Sequence, residues 1–352
     1  MARNNNETIK VTLEDLAGIA VPENSRLPTA TVTASSGKKY GSIANQEEQA
    51  SEVAEQRGSI LLQGWFYLGL AGLAGALVGW GICEPWFVEG GHPRWGNIWI
   101  LPAMLTFQCL GFGIAESIVE RSLRKALSRG GLSLLLGVVL GFLFNVVAQI
   151  VFNIAVSICT AAGVHSFRNP AFWVARGIAW MVFGVAGGVV YGIAGQSSKK
   201  TGYGILGGII GAGIGGMIFD PISMVAHGAV LSRGVGFGLL GMSTGIAMGL
   251  VESALKDRWL YVTAGPLAGK QFILYKMQTT IGSSQQCDIY LFKDSNILPQ
   301  HASVEINGAR VQVRAAGEMY VSGQRSGLQV LQNGASLQIG RYTFRYQERQ
   351  KK

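Results

Sequence analysis

Six apolar stretches, at 60–82, 98–118, 132–158, 171–195, 203–226 and 229–251, occupy the middle of the chain. A transmembrane helix takes about 20 mostly apolar residues, so this pattern predicts six spans. Ahead of them, residues 1–57 are polar. Their Thr/Ser/Ala/Gly-rich part, 27–45, buries too little surface to offset its ordering entropy and is expected to be disordered. In the same tail Val11 to Ala20 has the spacing of a short amphipathic helix. Beyond residue 256 the period changes to two. Short alternating segments are broken at Gly265-Pro266, Asn307-Gly308 and Asn333-Gly334, the last two strong hairpin signals. About ten such strands predict a β-sandwich. The expected layout is a tail (1–57), an α-helical polytopic membrane domain (58–256), an all-β sandwich (257–348) and a basic end (349–352).

The membrane block repeats itself. Its even-numbered spans close on related strings, Gly113-Ile-Ala-Glu-Ser117, Gly192-Ile-Ala-Gly-Gln196 and Gly249-Leu-Val-Glu-Ser253, each followed by basic residues. Three helical hairpins derived from one unit are the expected arrangement. Glycine makes up 50 of 352 residues, about double ordinary usage, and concentrates in the spans. In the fifth span Gly204, Gly207, Gly208, Gly211 and Gly215 are joined by Gly213 and Gly216; the first span carries Gly64, Gly72, Gly75 and Gly79. Residues at i, i+3, i+4 and i+7 share a helix face. In lipid there is little hydrophobic drive between helices, so small residues that admit close backbone approach supply association. The stripes read as packing surfaces rather than as a pore lining.

Charge sets the orientation. Charged residues are only 14% of the chain and are scarce in the middle. Arg57; Arg121, Arg124, Lys125 and Arg129; Lys199 and Lys200; and Lys256 and Arg258 fall on one side of the spans. The other side holds Arg94 with Glu84 and Glu89, then Arg168. Short loops rich in Lys/Arg face the cytoplasm. Both termini are therefore expected there, with the spans in a bacterial inner membrane and no cleavable signal at the start. From Trp259 onward eleven Lys/Arg oppose five Asp/Glu, a net +6 of the chain's +9. Such an excess suits phosphate groups, acidic partners or anionic lipid.

Polar groups inside spans are candidate functional residues. Here they are Glu116, Asn145, Arg176, Asp220, Arg233 and Glu252. Arg176, Asp220 and Arg233 lie toward the outer ends, where ion pairs between hairpins are expected. Glu116 and Glu252 lie toward the inner ends, where adjacent Arg/Lys are expected to neutralise them. Asn145, Gln149 and Asn153 put three amides on one face of the third span, with interhelical glue as the favoured role. The four cysteines form no CxxC pair and the four histidines are scattered, which argues against a metal site or disulfide framework. No nucleophile elbow, HExxH motif or phosphate-binding loop is present. No catalysis, cofactor or nucleic-acid partner is expected.

The C-terminal stretch carries Gln271-Phe-Ile-Leu-Tyr275, Thr280-Ile-Gly-Ser-Ser284, Cys287-Asp-Ile289, Gln300-His-Ala302, Val321-Ser-Gly-Gln-Arg325 and Leu337-Gln-Ile-Gly340. In that order and spacing they resemble a forkhead-associated (FHA) domain from Trp259 to Tyr346. The resemblance implies an FHA sandwich that binds phosphothreonine peptides through loops at one end. It also implies loop candidates: Gly282, Ser283, Ser284, Lys293, His301, Ser322 and Arg325. This copy departs from the family at three positions. Ser283 stands where the family has a phosphate-binding Arg after the glycine, Leu298 where it has Ser three residues before the histidine, and Gly317 where it has a loop Asn. His301 is kept, in a position that braces the loop in this family. Ser283, Ser284, Lys293 and Arg325 are the residues that would compensate.

The reading is a membrane-anchored adaptor for protein–protein interaction or signalling. Its partners are membrane lipid and a cytoplasmic protein, phosphorylated if the family's chemistry is retained, and homo-oligomerisation is left open. A small transporter or channel with a regulatory FHA domain is the alternative.

Overall fold

The structure, a computed structural model, describes residues 58–89, 95–166, 168–225 and 228–349. The expectations for the tail before Gly58, for Arg94 and for the last three residues lie outside these segments. Six helices run through the middle: α1 (Gly64–Cys83), α2 (Trp95–Val119), α3 (Leu123–Ala161), α4 (Pro170–Ala194), α5 (Ser198–Val225) and α6 (Ala229–Leu255). All six are long and apolar enough to cross a membrane. Asn169 starts α4 by accepting a hydrogen bond from Ala171 N–H, with Pro170 at the first helical position.

The largest departure from the sequence reading is α3. The apolar window at 132–158 marks its middle, but the helix has 39 residues, about 58 Å at 1.5 Å per residue. It begins early because Ser122 caps it, its hydroxyl accepting from Lys125 N–H. Arg124, Lys125 and Arg129, read from sequence as loop residues, are therefore in the first turns of a helix.

Each helix packs on the next in sequence, α6 closes on α1, and α2 also touches α4. The α2–α4 contact pushes α3 to the outside of the bundle. Only 17% of its most apolar window is buried, against 67% for α4, and Leu135, Leu143, Val146 and Ile150 are exposed along it.

The other interfaces close on glycine. One face of α5 carries Gly204 and Gly208, which lie against Gly188 and Gly184 of α4. Its other face carries Gly207, Gly211 and Gly215. A Cβ on Gly207 would stand 2.5 Å from Met248 Cα, and one on Gly215 2.7 Å from Leu240 Cα. Gly72 of α1 meets Gly241 of α6 in the same way. Methyl-sized groups have no room in these seams, so dispersion between backbones holds the helices together.

Eleven strands follow: β1 (Arg258–Ala264), β2 (Gln271–Ile273), β3 (Gln278–Gly282), β4 (Ile289–Tyr290), β5 (Ala302–Asn307), β6 (Arg310–Ala315), β7 (Met319–Val321), β8 (Gln324–Arg325), β9 (Leu328–Val330), β10 (Ser336–Ile339) and β11 (Tyr342–Glu348). They form two sheets, β2-β1-β11-β10-β7-β8 and β4-β3-β5-β6-β9. The pleat puts alternate residues into a shared core that includes Leu260, Ile281, Val304, Val313, Ile339 and Phe344. The expected turn at Asn307-Gly308 is shifted by one: Asn307 still pairs with Arg310, and Gly308, at φ +61°, opens a two-residue turn. Because β1 starts three residues after α6, the sandwich sits at the end of the bundle where α6 finishes.

Candidate functional site

Three loops converge at one end of the sandwich: 283–288 after β3, 291–301 after β4 and 316–318 after β6. His301 sits between them and is buried. Its Nδ1 accepts from Leu298 N–H at 3.1 Å, so the proton is on Nε2, which donates to Glu318 O at 2.9 Å. Ser283 spends its N–H on Leu298 O (3.0 Å) and its hydroxyl on Ile297 O (2.8 Å). Ser284 donates its N–H to Pro299 O, and its hydroxyl accepts from Gln286 N–H. Gly282 packs on Pro299, where a Cβ would fall 2.8 Å from the carbonyl carbon. A Cβ on Gly317 would meet the His301 ring, 2.7 Å from Nδ1. The space that a loop asparagine needs is filled by the histidine.

The remaining candidates scatter around this end. Lys293 is exposed, in a left-handed conformation at φ +64°, on a loop pinned by Tyr342 Oη donating to Phe292 O (2.6 Å) and by Arg341 N–H donating to Asp294 (2.9 Å). Arg325 lies 3.7 Å from Glu318, both largely exposed. Ser322 does not join the group. With Gly323 it makes the tight β7–β8 turn (φ +49° and +82°), at the opposite end of β7 from Glu318. Leu298 is exposed beside Pro299. The end presents apolar surface and cations, and the donors of Ser283 and His301 are already in use.

Asp288 holds the base of the first loop. It accepts from Thr280 N–H and Thr280 Oγ1, both at 2.9 Å, and from Lys276 Nζ at 2.7 Å. Burial alone would raise its carboxyl; the Lys276 ammonium and the Thr280 bonds outweigh burial and hold it below the ordinary carboxylate range. A carboxyl depressed by folding contributes stability above its unfolded value, near 3.9, and loses it as pH falls through the folded value. Asp288→Asn should therefore lower the sandwich's melting temperature at pH 7 and flatten its decline below about pH 4. Thermal unfolding from pH 7 to 3 checks this, and identical acid limbs for both proteins would contradict it.

A second constellation joins the sandwich to the helices. Lys270, before β2, pairs at 2.7 Å with Glu120, which lies between α2 and α3. Their side chains are 1% and 3% exposed. Lys125 Nζ binds both Glu120 (3.1 Å) and Asp288 O (2.8 Å). Gln285 Oε1 accepts from Arg124 N–H (3.2 Å), so a sandwich loop helps cap α3. Arg121 lies over the Phe292 ring. Beside these contacts is a cavity of about 180 Å³ lined by Glu116, Glu120, Arg129, Lys200, Glu252 and Asp288, among others. Glu116 Oε2 takes Lys200 (2.9 Å) and Arg129 (3.1 Å). Glu252 departs from expectation: it accepts the hydroxyls of Tyr191 (2.8 Å) and Tyr275 rather than pairing with its basic neighbours. Burial and the Glu252 carboxylate raise the Tyr275 hydroxyl far above its ordinary range, so it stays protonated as the donor.

The other membrane candidates lie elsewhere. Toward the far ends of α4 and α5, Arg176 Nε meets Asp220 at 2.9 Å, with its guanidinium 5.1–5.7 Å from the ring centroids of Phe152, Trp180 and Phe219. Arg233 on α6 pairs with Glu84 and Glu89 and lies over Phe87. Asn145 Oδ1 is buried with no partner among the described residues, whereas Gln149 and Asn153 are exposed, so the three amides share no buried contact. Sequence reasoning missed Glu120, Lys270, Tyr191 and Tyr275, since no local pattern marks residues whose partners are distant in the chain.

The family described as inner membrane component of T3SS, cytoplasmic domain, matches residues 261–350. The C-terminal region is of the FHA type. Over 86 residues it is 36% identical to the oxoglutarate dehydrogenase inhibitor of Corynebacterium efficiens, a match covering 24% of this chain. The chain spans 60% of that relative's length. Among solved structures, the FHA domain of the CT664 protein from Chlamydia trachomatis is 25% identical with a TM-score of 0.25, covering 27% of this chain and all of that one. The cytoplasmic domain of the T3SS sorting platform protein PscD from P. aeruginosa is 23% identical with a TM-score of 0.25, covering 27% of this chain and 83% of that one.

Proposed function

We propose that this protein is a non-catalytic membrane adaptor. Six transmembrane helices (58–256) hold the FHA-type sandwich (257–348) on the cytoplasmic side of a bacterial inner membrane, where its loop end takes a protein partner without requiring phosphothreonine. The lengths of the helices and the Lys/Arg bias of their connections support the placement. So does the matched family's description as an inner-membrane component. The backbone contacts at Gly72, Gly207 and Gly215 favour an anchor over a conduit. The inhibitor name of the Corynebacterium relative accords with a role in binding rather than catalysis.

The observation that carries the reading is the occupied loop end. Ser283 has no guanidinium to offer and its hydroxyl is spent on Ile297 O; Leu298 has no hydroxyl; Gly317 is walled in by His301. Each hydrogen bond to a charged group contributes about 1.5–3 kcal/mol. Two missing contacts then amount to roughly 3–6 kcal/mol, or two to four orders of magnitude in affinity. Leu298 and Pro299 supply apolar contact in their place, and Lys293 and Arg325 favour acidic neighbours. Photo-crosslinking tests this in membranes carrying the full chain with a benzoylphenylalanine at Leu298. The same protein should be captured before and after phosphatase treatment; capture that vanishes with phosphatase, or no capture at all, would overturn the proposal.

A further inference from the structure

The sandwich has two lateral sides, and the helices use one. β2 and β4 are the edge strands on that side. The residues around them, including Lys270, Tyr275, Gln285 and Phe292, make the contacts with the helical domain. At the other side the second sheet ends at β9, four strands from β4, about 19 Å at 4.8 Å per strand. Among the described residues no hydrogen bond or ion pair joins Leu328, Val330, Arg310 or Arg314 to the helices.

β9 is paired along one side only. Leu331 N–H donates to Val311 O and Ala315 N–H to Gly327 O, each at 2.8 Å, and Gln329 stands opposite Val313. In an antiparallel ladder this turns the backbone of residues 327, 329 and 331 toward β6, and that of Leu328 and Val330 outward; of these outward groups Leu328 O accepts from the Ser326 hydroxyl at 3.1 Å and keeps its second lone pair. The Leu328 and Val330 side chains are 54% and 44% exposed. An open edge recruits another strand unless Lys, Pro or a bulge blunts it, and Leu-Gln-Val does none of these. Arg314 stands opposite Leu328, and Arg310 is four residues along the same face. Both are exposed, and neither has an ionic partner among the described residues.

We propose that β9 is a strand-addition site for an extended segment of a soluble protein with carboxylates at its first and fifth positions and an apolar residue at the third. The carboxylates meet Arg314 and Arg310, the apolar residue packs on Leu328 and Val330, and its backbone pairs with the outward groups of those residues. A second copy's β9 does not fit, because residues 326–334 carry no carboxylate and would bring only the same arginines to Arg314 and Arg310. The site stands whether or not the loop end binds a partner.

The probe is a fluorescent Thr-Glu-Thr-Val-Thr-Glu-Thr peptide, titrated by anisotropy onto the full chain in nanodiscs, with Thr-Lys-Thr-Val-Thr-Lys-Thr as control. The acidic peptide should bind saturably and the basic one should not. Val330→Pro, which removes an N–H that no ladder bond uses, and Arg314→Glu should each weaken binding about tenfold or more. Unchanged thermal unfolding of the Arg314→Glu chain would show that the sandwich is intact. Amide exchange at Leu328 and Val330 should slow with the acidic peptide bound. No saturable binding up to about 1 mM, equal binding of the basic peptide, or full binding by both variants would overturn the proposal.

Discussion

Gly211→Leu should abolish the folded helical domain, while Leu206→Ala on the same helix should leave it unchanged. A Cβ on Gly211 would lie 2.5 Å from Thr244 Cα and 2.8 Å from Ser243 C. These are backbone atoms of α6, with no flexible side chain to swing aside. Overpacking a core costs about 1–3 kcal/mol where side chains can give way. Here two helices would have to part along a seam that also contains Gly207 and Gly215, so the cost lies at or above that upper end. Leu206 points outward, 46% exposed, and its truncation removes little protein contact; surface changes of this kind stay within about 0.5 kcal/mol. Monodispersity and thermal unfolding in detergent compare the two. Equal tolerance would mean that the helices do not associate through this glycine face.

Glu120→Ala should release the sandwich from the helices. It leaves Lys270, 1% exposed, without its carboxylate and deprives Lys125 of one of its two partners. Breaking a buried ion pair from one side costs about 3–5 kcal/mol, because the remaining charge is stranded. A distance measured between labels on Leu255 and Gln347 should broaden markedly, and the segment before Arg258 should become open to protease. Adding Lys270→Met removes the stranded charge and should restore much of the docking. If Glu120→Ala changes neither readout, the ionic seam does not hold the two parts together.

Much of this architecture is legible in the sequence. Apolar windows locate all six helices, and the spacing of Gly204, Gly207, Gly208, Gly211 and Gly215 encodes both packing faces of α5 before any neighbour is known. Period-two alternation and the ordered FHA-like strings locate the sandwich. The full length of α3 is not legible from hydropathy, because its start is decided by the Ser122 cap and by contact with Gln285. Nor is the seam with the helices: Lys270 and Glu120 are 150 residues apart in sequence, and Ala268-Gly269-Lys270 reads locally as a turn. Sequence distance alone pairs Glu252 with nearby cations, because it ranks Lys256 ahead of Tyr191 and Tyr275. At Gly317 the sequence shows a missing asparagine; the His301 ring in its place explains why a simple reversion there would not fit.

Calorimetric titration of the full chain in nanodiscs with a phosphothreonine peptide pool, against its unphosphorylated counterpart, tests phosphate independence most directly. The pools should differ by less than about 1.4 kcal/mol, with phosphopeptide binding weaker than about 100 μM. Ser283→Arg combined with Leu298→Ser should strengthen the phosphorylated pool selectively, since it returns a guanidinium and a hydroxyl to the loop end. Low-micromolar, phosphate-dependent binding by the unaltered protein would contradict the account.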